Sequence, residues 1–232
     1  MFWRFGGYAA VSAIDTILDK PEVTLEELLD ESDLIQELKQ HNTKLIEYLR
    51  EDSILERLLE YVVAPKLVAS VTEEAEATEE KPEEGSKDER SFAKPQDDDE
   101  EDEKEKKRNR YAYVSAEVLS SDNWSICEAL MENQGLLRKF WEFMKLPIPL
   151  DPLQASYFTK VNESLLDKKT EEMLDLFKSL DNAVNDMLQH VDSPMVMDLL
   201  LKIISLDKSE GGAGIVDVCL VPHRCWIFTY KL

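Results

Sequence analysis

The sequence predicts an all-α protein in which short helices stack on one another in two blocks, separated by a disordered acidic insert. Three observations support this fold class. Apolar residues recur at helical spacing through both blocks, and several predicted helix starts carry capping residues. No strand-type alternation of apolar and polar residues occurs before residue 214. We therefore expect a core built from helices.

The first block, residues 1–65, is a series of capped amphipathic helices. Thr24–Glu27 is a capping box, in which the Thr24 hydroxyl accepts the Glu27 amide and the Glu27 carboxylate reaches back. Ser53–Glu56 repeats the pattern. Each predicted helix is only about two or three turns long, and isolated helices of that length are marginal in water. We therefore expect them to pack against each other.

The insert, residues 66–110, has too few large apolar residues to fold by itself. Its stretch Val71–Arg110 contains 17 Asp or Glu and 9 Lys or Arg, which gives a net charge of −8. A segment of this composition cannot bury enough apolar surface to offset the entropy lost on ordering. The composition therefore predicts a disordered linker.

Two features of the insert have more than one interpretation. Ser86 and Ser91 lie among acidic residues and are candidate phosphorylation sites, while the alternative is a linker that only aids solubility. The basic run Lys104–Arg110 is either a nuclear import signal or charge balance beside the acidic residues before it.

The second block, residues 111–209, continues the helical array. Asn123 is a candidate N-cap, and Asp151-Pro152 and Ser193-Pro194 each place a capping residue before a proline at the first helical position. The two proline starts are 42 residues apart, a spacing within the range of HEAT and armadillo repeats. The block therefore favours a HEAT/armadillo-like solenoid.

The tail, residues 210–232, differs from everything before it. Gly211–Gly214 ends the helical pattern, and the residues that follow lean towards β structure. Cys219, His223 and Cys225 lie close enough to share a metal, but a structural zinc site needs a fourth ligand and a different cysteine spacing. We therefore predict no metal site and an atypical tail, unlike the helical blocks before it.

The composition limits the classes of partner that the protein can bind and the cellular compartment in which it is expected. A net charge of −22 disfavours nucleic acid and anionic membranes, and no apolar run approaches the length of a membrane span. Arg4 stands alone and Gly6-Gly7 breaks the first apolar run, so no signal peptide is predicted. Three cysteines fit a reducing compartment. We expect a cytoplasmic protein, and also a nuclear one if the basic run acts as an import signal.

The sequence carries no recognisable catalytic set. Its three histidines are scattered, and no Ser or Cys nucleophile has an identifiable base. Its carboxylates lie in the insert or on predicted solvated faces, where burial cannot tune them. We therefore predict a non-enzyme without a cofactor. The rival, a metal-dependent phosphatase, would need clusters of Asp, His and Asn that this sequence lacks.

Several segments, taken together and in order, resemble the SAPS family, the regulatory subunits of phosphatase-6-class serine/threonine phosphatases. They are Met1–Phe5, Ile14–Leu18, Val23–Glu31, Pro149–Val161 and Met197–Ile204. The resemblance implies a helical-repeat regulatory subunit that binds the phosphatase catalytic subunit, helps to choose substrates and acts in cell-cycle progression. The alternative is a general α-solenoid adaptor without a phosphatase partner.

The same segments supply the candidate partner-binding residues Phe2, Trp3, Phe5, Tyr157 and Phe158. For the first three, packing on the chain's own helices is the competing interpretation, since aromatic side chains bury large areas in either case. SAPS proteins are much longer than this chain, so we expect a truncated, N-terminal portion of such a subunit.

Overall fold

The computed structural model describes residues 12–65 and 98–209, with side chains from residue 102 in the second range. Within these ranges the protein has twelve α-helices, one 3-10 turn and no strand. The helices are α1 (Ala13–Leu18), α2 (Leu25–Leu29), α3 (Leu34–Lys39), α4 (Thr43–Leu49), α5 (Asp52–Val62), α6 (Asp98–Ser120), α7 (Trp124–Glu132), α8 (Gln134–Trp141), α9 (Pro152–Lys168), α10 (Thr170–Lys178), α11 (Ala183–Gln189) and α12 (Pro194–Ser209), and the 3-10 turn is Glu142–Lys145.

The longer helices pack against one another. Helix α6 packs against α5 and α9, and α9 also packs against α10 and α12. The short helices α1 to α4 pack on one another, and α2 and α3 also contact α6. The predicted all-α fold with stacked short helices is confirmed, whereas the HEAT/armadillo type of solenoid stays a prediction.

An aromatic cluster joins the helices of the second block. The ring of Phe158 on α9 lies 4.8 Å from Phe140, 5.1 Å from Phe143 and 5.3 Å from Trp141. Trp141 in turn lies 5.4 Å from Phe177 on α10. All five side chains are buried, and each contributes about 1.5–3 kcal/mol through burial. The cluster therefore fixes α8 and the 3-10 turn against α9.

Side-chain caps begin several helices where the sequence predicts them. Thr24 accepts the Glu27 amide at 3.3 Å, although the Glu27 carboxylate pairs with Lys20 instead of reaching back. Asn123 caps α7, and Asp151 accepts the amides of Leu153 and Gln154 at 2.9 and 3.0 Å.

The second predicted capping box, at Ser53, is wrong. Helix α5 begins two residues earlier than that box implies, at Asp52, and its N-cap is Glu51. The carbonyl oxygen of Glu51 accepts the amides of Ile54 and Leu55, each at 2.9 Å. Ser53 therefore lies inside the first turn, where its hydroxyl cannot cap the helix.

The predicted boundary of the acidic insert at Arg110 is also wrong, because α6 begins at Asp98. Acidic residues fill its first turns, where the helix dipole favours negative charge. Arg108 then donates to both Glu105 oxygens, at 2.9 and 2.7 Å, one turn away. A count of charges alone does not reveal that helical spacing brings Glu105 and Arg108 together. The remaining insert, residues 66–97, lies outside the described residues.

Candidate partner-binding groove

Helix α5, helix α8 and the 3-10 turn enclose an open groove, which we call the α5–α8 groove, with a volume of about 290 Å³. Its floor consists of apolar side chains that helical spacing places on facing sides of the two helices. The floor residues are Leu59, Val63, Pro65, Leu136, Phe140, Phe143 and Leu146, and the rim residues are Glu56, Glu60, Lys139 and Glu142.

The rim of the α5–α8 groove carries three carboxylates and one ammonium group. Lys139 on α8 donates to Glu56 at 2.9 Å and to Glu60 at 2.7 Å on α5. Hydrogen bonds to Glu60 and Glu56 raise the pKa of Lys139 above its ordinary value. Glu142 is approached by Lys145 at 3.8 Å. All of these groups are largely exposed, so salt screens their interactions.

Part of the apolar lining of the groove is exposed. Leu146 is 43% exposed, and Ile148, two residues farther along the chain, is 56% exposed. Scattered apolar residues at a surface are ordinary, but Leu146 lines an apolar concavity. A concave apolar floor with a charged rim is suited to binding an amphipathic segment of another protein.

The predicted partner contact at Phe158 is wrong. Its side chain is 0% exposed at the centre of the aromatic cluster, so it cannot touch another protein. Tyr157 is half-buried, with its ring 6.3 Å from that of Tyr113. Burial, and then the nearby Tyr113 and Glu117, raise the pKa of Tyr157. Tyr157 retains enough surface to remain a candidate contact.

The other predicted site residues lie outside the described part of the chain and stay predictions. These are Phe2, Trp3, Phe5, Ser86 and Ser91. The metal-ligand candidates rejected at the sequence level also lie there, namely Cys219, His223 and Cys225.

Two of the three histidines lie in the described ranges, far apart and in structural settings. His41 is exposed in the loop after α3. His190 is fully buried after α11, with Nε2 3.0 Å from the carbonyl oxygen of Met144. No cluster of His, Cys, Asp or Glu in residues 12–65 and 98–209 is arranged to hold a metal ion. In the same ranges, no helix combines the length and apolar character of a membrane span.

Sequence reasoning did not identify the α5–α8 groove, although a signal was present. Residues 136–144 are apolar around most of the helix circumference, which is more than one buried face requires. The surplus members, Leu136 and Leu146 beyond it, are the ones left partly or largely exposed. Excess apolar surface on a short helix is therefore the feature that points to the groove.

Comparison with known proteins places the sequence in a family. Residues 162–221 match the family described as "SAPS: SIT4 phosphatase-associated protein". The chain is 42% identical over 222 residues to "Extragenic suppressor of kinetochore protein 1" of Schizosaccharomyces pombe, which covers 94% of the chain and 23% of that relative. It is 35% identical over 205 residues to "Serine/threonine-protein phosphatase 6 regulatory subunit 3-B" of Xenopus laevis, covering 88% and 20% respectively.

A third relative, "SIT4-associating protein SAP190" of Saccharomyces cerevisiae, is 33% identical over 229 residues, covering 84% of the chain and 22% of the relative. The chain thus spans less than a quarter of the length of these relatives. No solved structure matches it. The similarity extends over most of the chain in relatives from two yeasts and a frog, and on this basis the chain belongs to the SAPS family.

Proposed function

We propose that this chain is a non-catalytic regulatory subunit that binds the catalytic subunit of a phosphatase-6-class serine/threonine phosphatase and directs its choice of substrate. The observation that carries the proposal is the 35% identity, over 88% of the chain, to a relative named as a phosphatase 6 regulatory subunit. The relative named SAP190 is likewise described as associating with SIT4, and the family name refers to a SIT4 phosphatase.

The fold supports a binding role. Stacked helices present continuous surfaces, which helical-repeat proteins use to hold other proteins. Such a subunit acts without covalent chemistry: one surface holds the catalytic subunit, and another positions a substrate near it. The α5–α8 groove is one open apolar surface available for such contacts.

The proposal extends to the cellular role and the compartment. One relative is named as an extragenic suppressor of a kinetochore protein, which supports a link to cell-cycle progression. Three cysteines in a chain of this length fit a reducing compartment, which supports the cytoplasm as its location. The import-signal interpretation of Lys104–Arg110 requires accessible basic side chains. Arg108 does not meet this requirement, because it donates to the Ala64 carbonyl oxygen and pairs with Glu105.

The test is capture of a purified phosphatase-6-class catalytic subunit by the full chain, with a catalytic subunit of another phosphatase class as the control. We expect selective capture, and no hydrolysis of phosphopeptides by the chain alone. Failure to capture the catalytic subunit, together with capture by a longer relative, would remove the proposal for this chain. Hydrolysis by the chain, free of contaminating phosphatase, would contradict its non-catalytic role.

A further inference from the structure

We propose that the α5–α8 groove binds a short helical segment of a partner protein that presents up to four large apolar side chains flanked by Lys or Arg. The inference rests on the proposed function for the identity of the partner, a phosphatase catalytic subunit, but not for the chemistry of the groove. It names what the groove selects: apolar side chains for the floor and positive charge for the rim.

The floor determines the apolar part of the segment. Seven apolar residues line it, and its volume of about 290 Å³ lies near the lower end of the range for ligand pockets. A groove of this size accommodates a few side chains rather than a whole domain. Leu146, one of the seven, is 43% exposed, so the floor is accessible to an incoming side chain.

The walls determine the conformation of the segment. Both walls are helical, formed by α5 and by α8 with its 3-10 turn, and the described residues contain no strand whose edge could add a β-strand. An amphipathic helix can lie over the junction of two paired helices by placing residues i, i+3, i+4 and i+7 on the floor. The bound segment is therefore helical.

The rim determines the charge. Glu56, Glu60 and Glu142 face one cation, Lys139, so the rim has a net charge of −2. Lys139 already bridges Glu56 and Glu60, which leaves each carboxylate with further lone pairs for an incoming Lys or Arg. Lys145 lies 3.8 Å from Glu142, beyond hydrogen-bond distance, so it offsets the charge of Glu142 less than a hydrogen-bonded cation would. With −22 on the whole chain, a basic segment is also steered towards this surface.

The first experiment uses a synthetic probe instead of the phosphatase. A fluorescein-labelled amphipathic peptide with Leu at i, i+3, i+4 and i+7 and Lys at both ends is titrated with the full chain, and anisotropy is followed. The control peptides carry Glu at both ends or a scrambled order of the same residues. The groove variant is Leu146→Glu, and the matched control is Leu201→Glu, at a 64% exposed leucine on α12.

We expect the Lys-flanked peptide to bind the wild type and Leu201→Glu alike, and Leu146→Glu about tenfold or more weakly. The Glu-flanked and scrambled peptides should also bind about tenfold more weakly. Equal binding to Leu146→Glu would overturn the proposal, as would no binding up to about 1 mM. Binding that appears only after removal of residues 1–11 would overturn it in favour of the chain's own aromatic segment as the occupant.

The second experiment separates this inference from the proposed function. Capture of the catalytic subunit is compared between wild type, Leu146→Glu and Leu201→Glu, with far-UV circular dichroism confirming that each variant is folded. Loss of capture only for Leu146→Glu supports the groove as the phosphatase contact, and equal capture by all three contradicts that assignment. If even the wild type captures nothing, the proposed function fails, and the peptide titration still decides the chemistry of the groove.

Discussion

Arg108 donates a hydrogen bond from Nη1 to the carbonyl oxygen of Ala64 at 2.6 Å, across 44 residues of sequence. Gln154 on α9 donates to the same oxygen. Ala64 lies just after α5, beside Pro65 at the edge of the α5–α8 groove. Both α6 and α9 therefore hold the end of α5. The position of the groove depends on the contact from Arg108 to Ala64, which the composition of the insert does not predict.

The first prediction concerns Arg108, whose side chain is only 10% exposed. Replacement by Ala removes a charged donor from the Ala64 carbonyl, so Arg108→Ala should lower the free energy of unfolding by about 1.5–3 kcal/mol. Urea denaturation measures the change. Lys106→Ala is the control, because Lys106 is 72% exposed and should leave the urea midpoint unchanged. Equal effects of the two substitutions would contradict a specific role for Arg108.

The second prediction separates the two parts of the insert. Replacing residues 66–97 by a short Gly/Ser linker should leave the thermal midpoint nearly unchanged. Replacing residues 66–110 should lower the midpoint by more than about 5 °C, because it also removes Arg108 and the bonds from Arg110 and its neighbours to Asp30. Equal midpoints for the two replacements would mean that residues 98–110 contribute nothing to stability.

The sequence predicts most of the helix caps, where local chemistry decides the structure, although the capping box at Ser53 is an exception. The caps at Thr24, Asn123 and Asp151 lie within three residues of the amides they satisfy, and all three were predicted correctly. The N-terminal half of α6 was not predictable in the same way, since the acceptor of Arg108 lies 44 residues away. A segment's charge composition predicts its disorder only if no distant part of the chain binds it, and the bond from Arg108 to Ala64 is such a distant contact.

The same distinction applies to the candidate site. A helix that is apolar on most sides does not reveal which side chains other helices will cover. Phe158 and Leu146 are both large and apolar, but the aromatic cluster covers the first and nothing among the described residues fully covers the second. The pairing of α8 with α5, on which the groove depends, is a tertiary contact that periodicity alone does not encode.

The third prediction concerns pH and Glu26, which accepts hydrogen bonds from Tyr61 and Arg57 and so joins α2 to α5. Burial acts to raise the pKa of Glu26, but the hydrogen bonds from Tyr61 and its own backbone, together with Arg57, outweigh it and lower the pKa below 4.5. The ionised carboxylate therefore stabilises the fold above that pH. Its contribution is lost as the pH falls through the lowered folded-state pKa.

Glu26→Gln should accordingly be less stable than the wild type at pH 7, and the difference should shrink at about pH 3. Urea denaturation at both pH values measures it. Tyr61→Phe, which removes the hydrogen bond but leaves the carboxylate, should reduce the pH dependence in part. A stability difference that is independent of pH would show that Glu26 acts by packing and not by charge.

The fourth prediction uses the backbone at His41, where φ is 58°. This left-handed residue ends α3, with its amide bonded to the Leu38 carbonyl at 3.1 Å and the Asn42 amide to Glu37 at 3.2 Å. Glycine adopts this conformation without strain, so His41→Gly should be neutral or stabilising by up to about 1 kcal/mol. His41→Val should instead destabilise by about 1–2 kcal/mol, since β-branched residues resist positive φ. Thermal unfolding of both variants measures the difference, and a more stable valine variant would contradict the interpretation.

The last prediction distinguishes the adjacent residues Tyr157 and Phe158. Phe158 is fully enclosed by aromatic rings, so Phe158→Ala should cost about 3–5 kcal/mol of stability. Phe158→Leu retains most of the volume and should fold, and its capture of the phosphatase catalytic subunit should match the wild type. Tyr157→Ala should cost less than Phe158→Ala, because the ring is only half-buried beside Tyr113.

The capture assay then decides the role of each residue at a temperature where every variant is folded. Reduced capture by Tyr157→Ala at unchanged circular dichroism would assign Tyr157 to the partner surface. Reduced capture by the folded Phe158→Leu variant would contradict the expected match to the wild type. It would show that packing of the aromatic cluster shapes the partner surface, since a side chain with no exposed surface can affect a partner only by disturbing the helices around it. Unchanged capture by both would leave the exposed apolar residues of the α5–α8 groove as the stronger candidates, because α9 would then contribute core packing alone at this position.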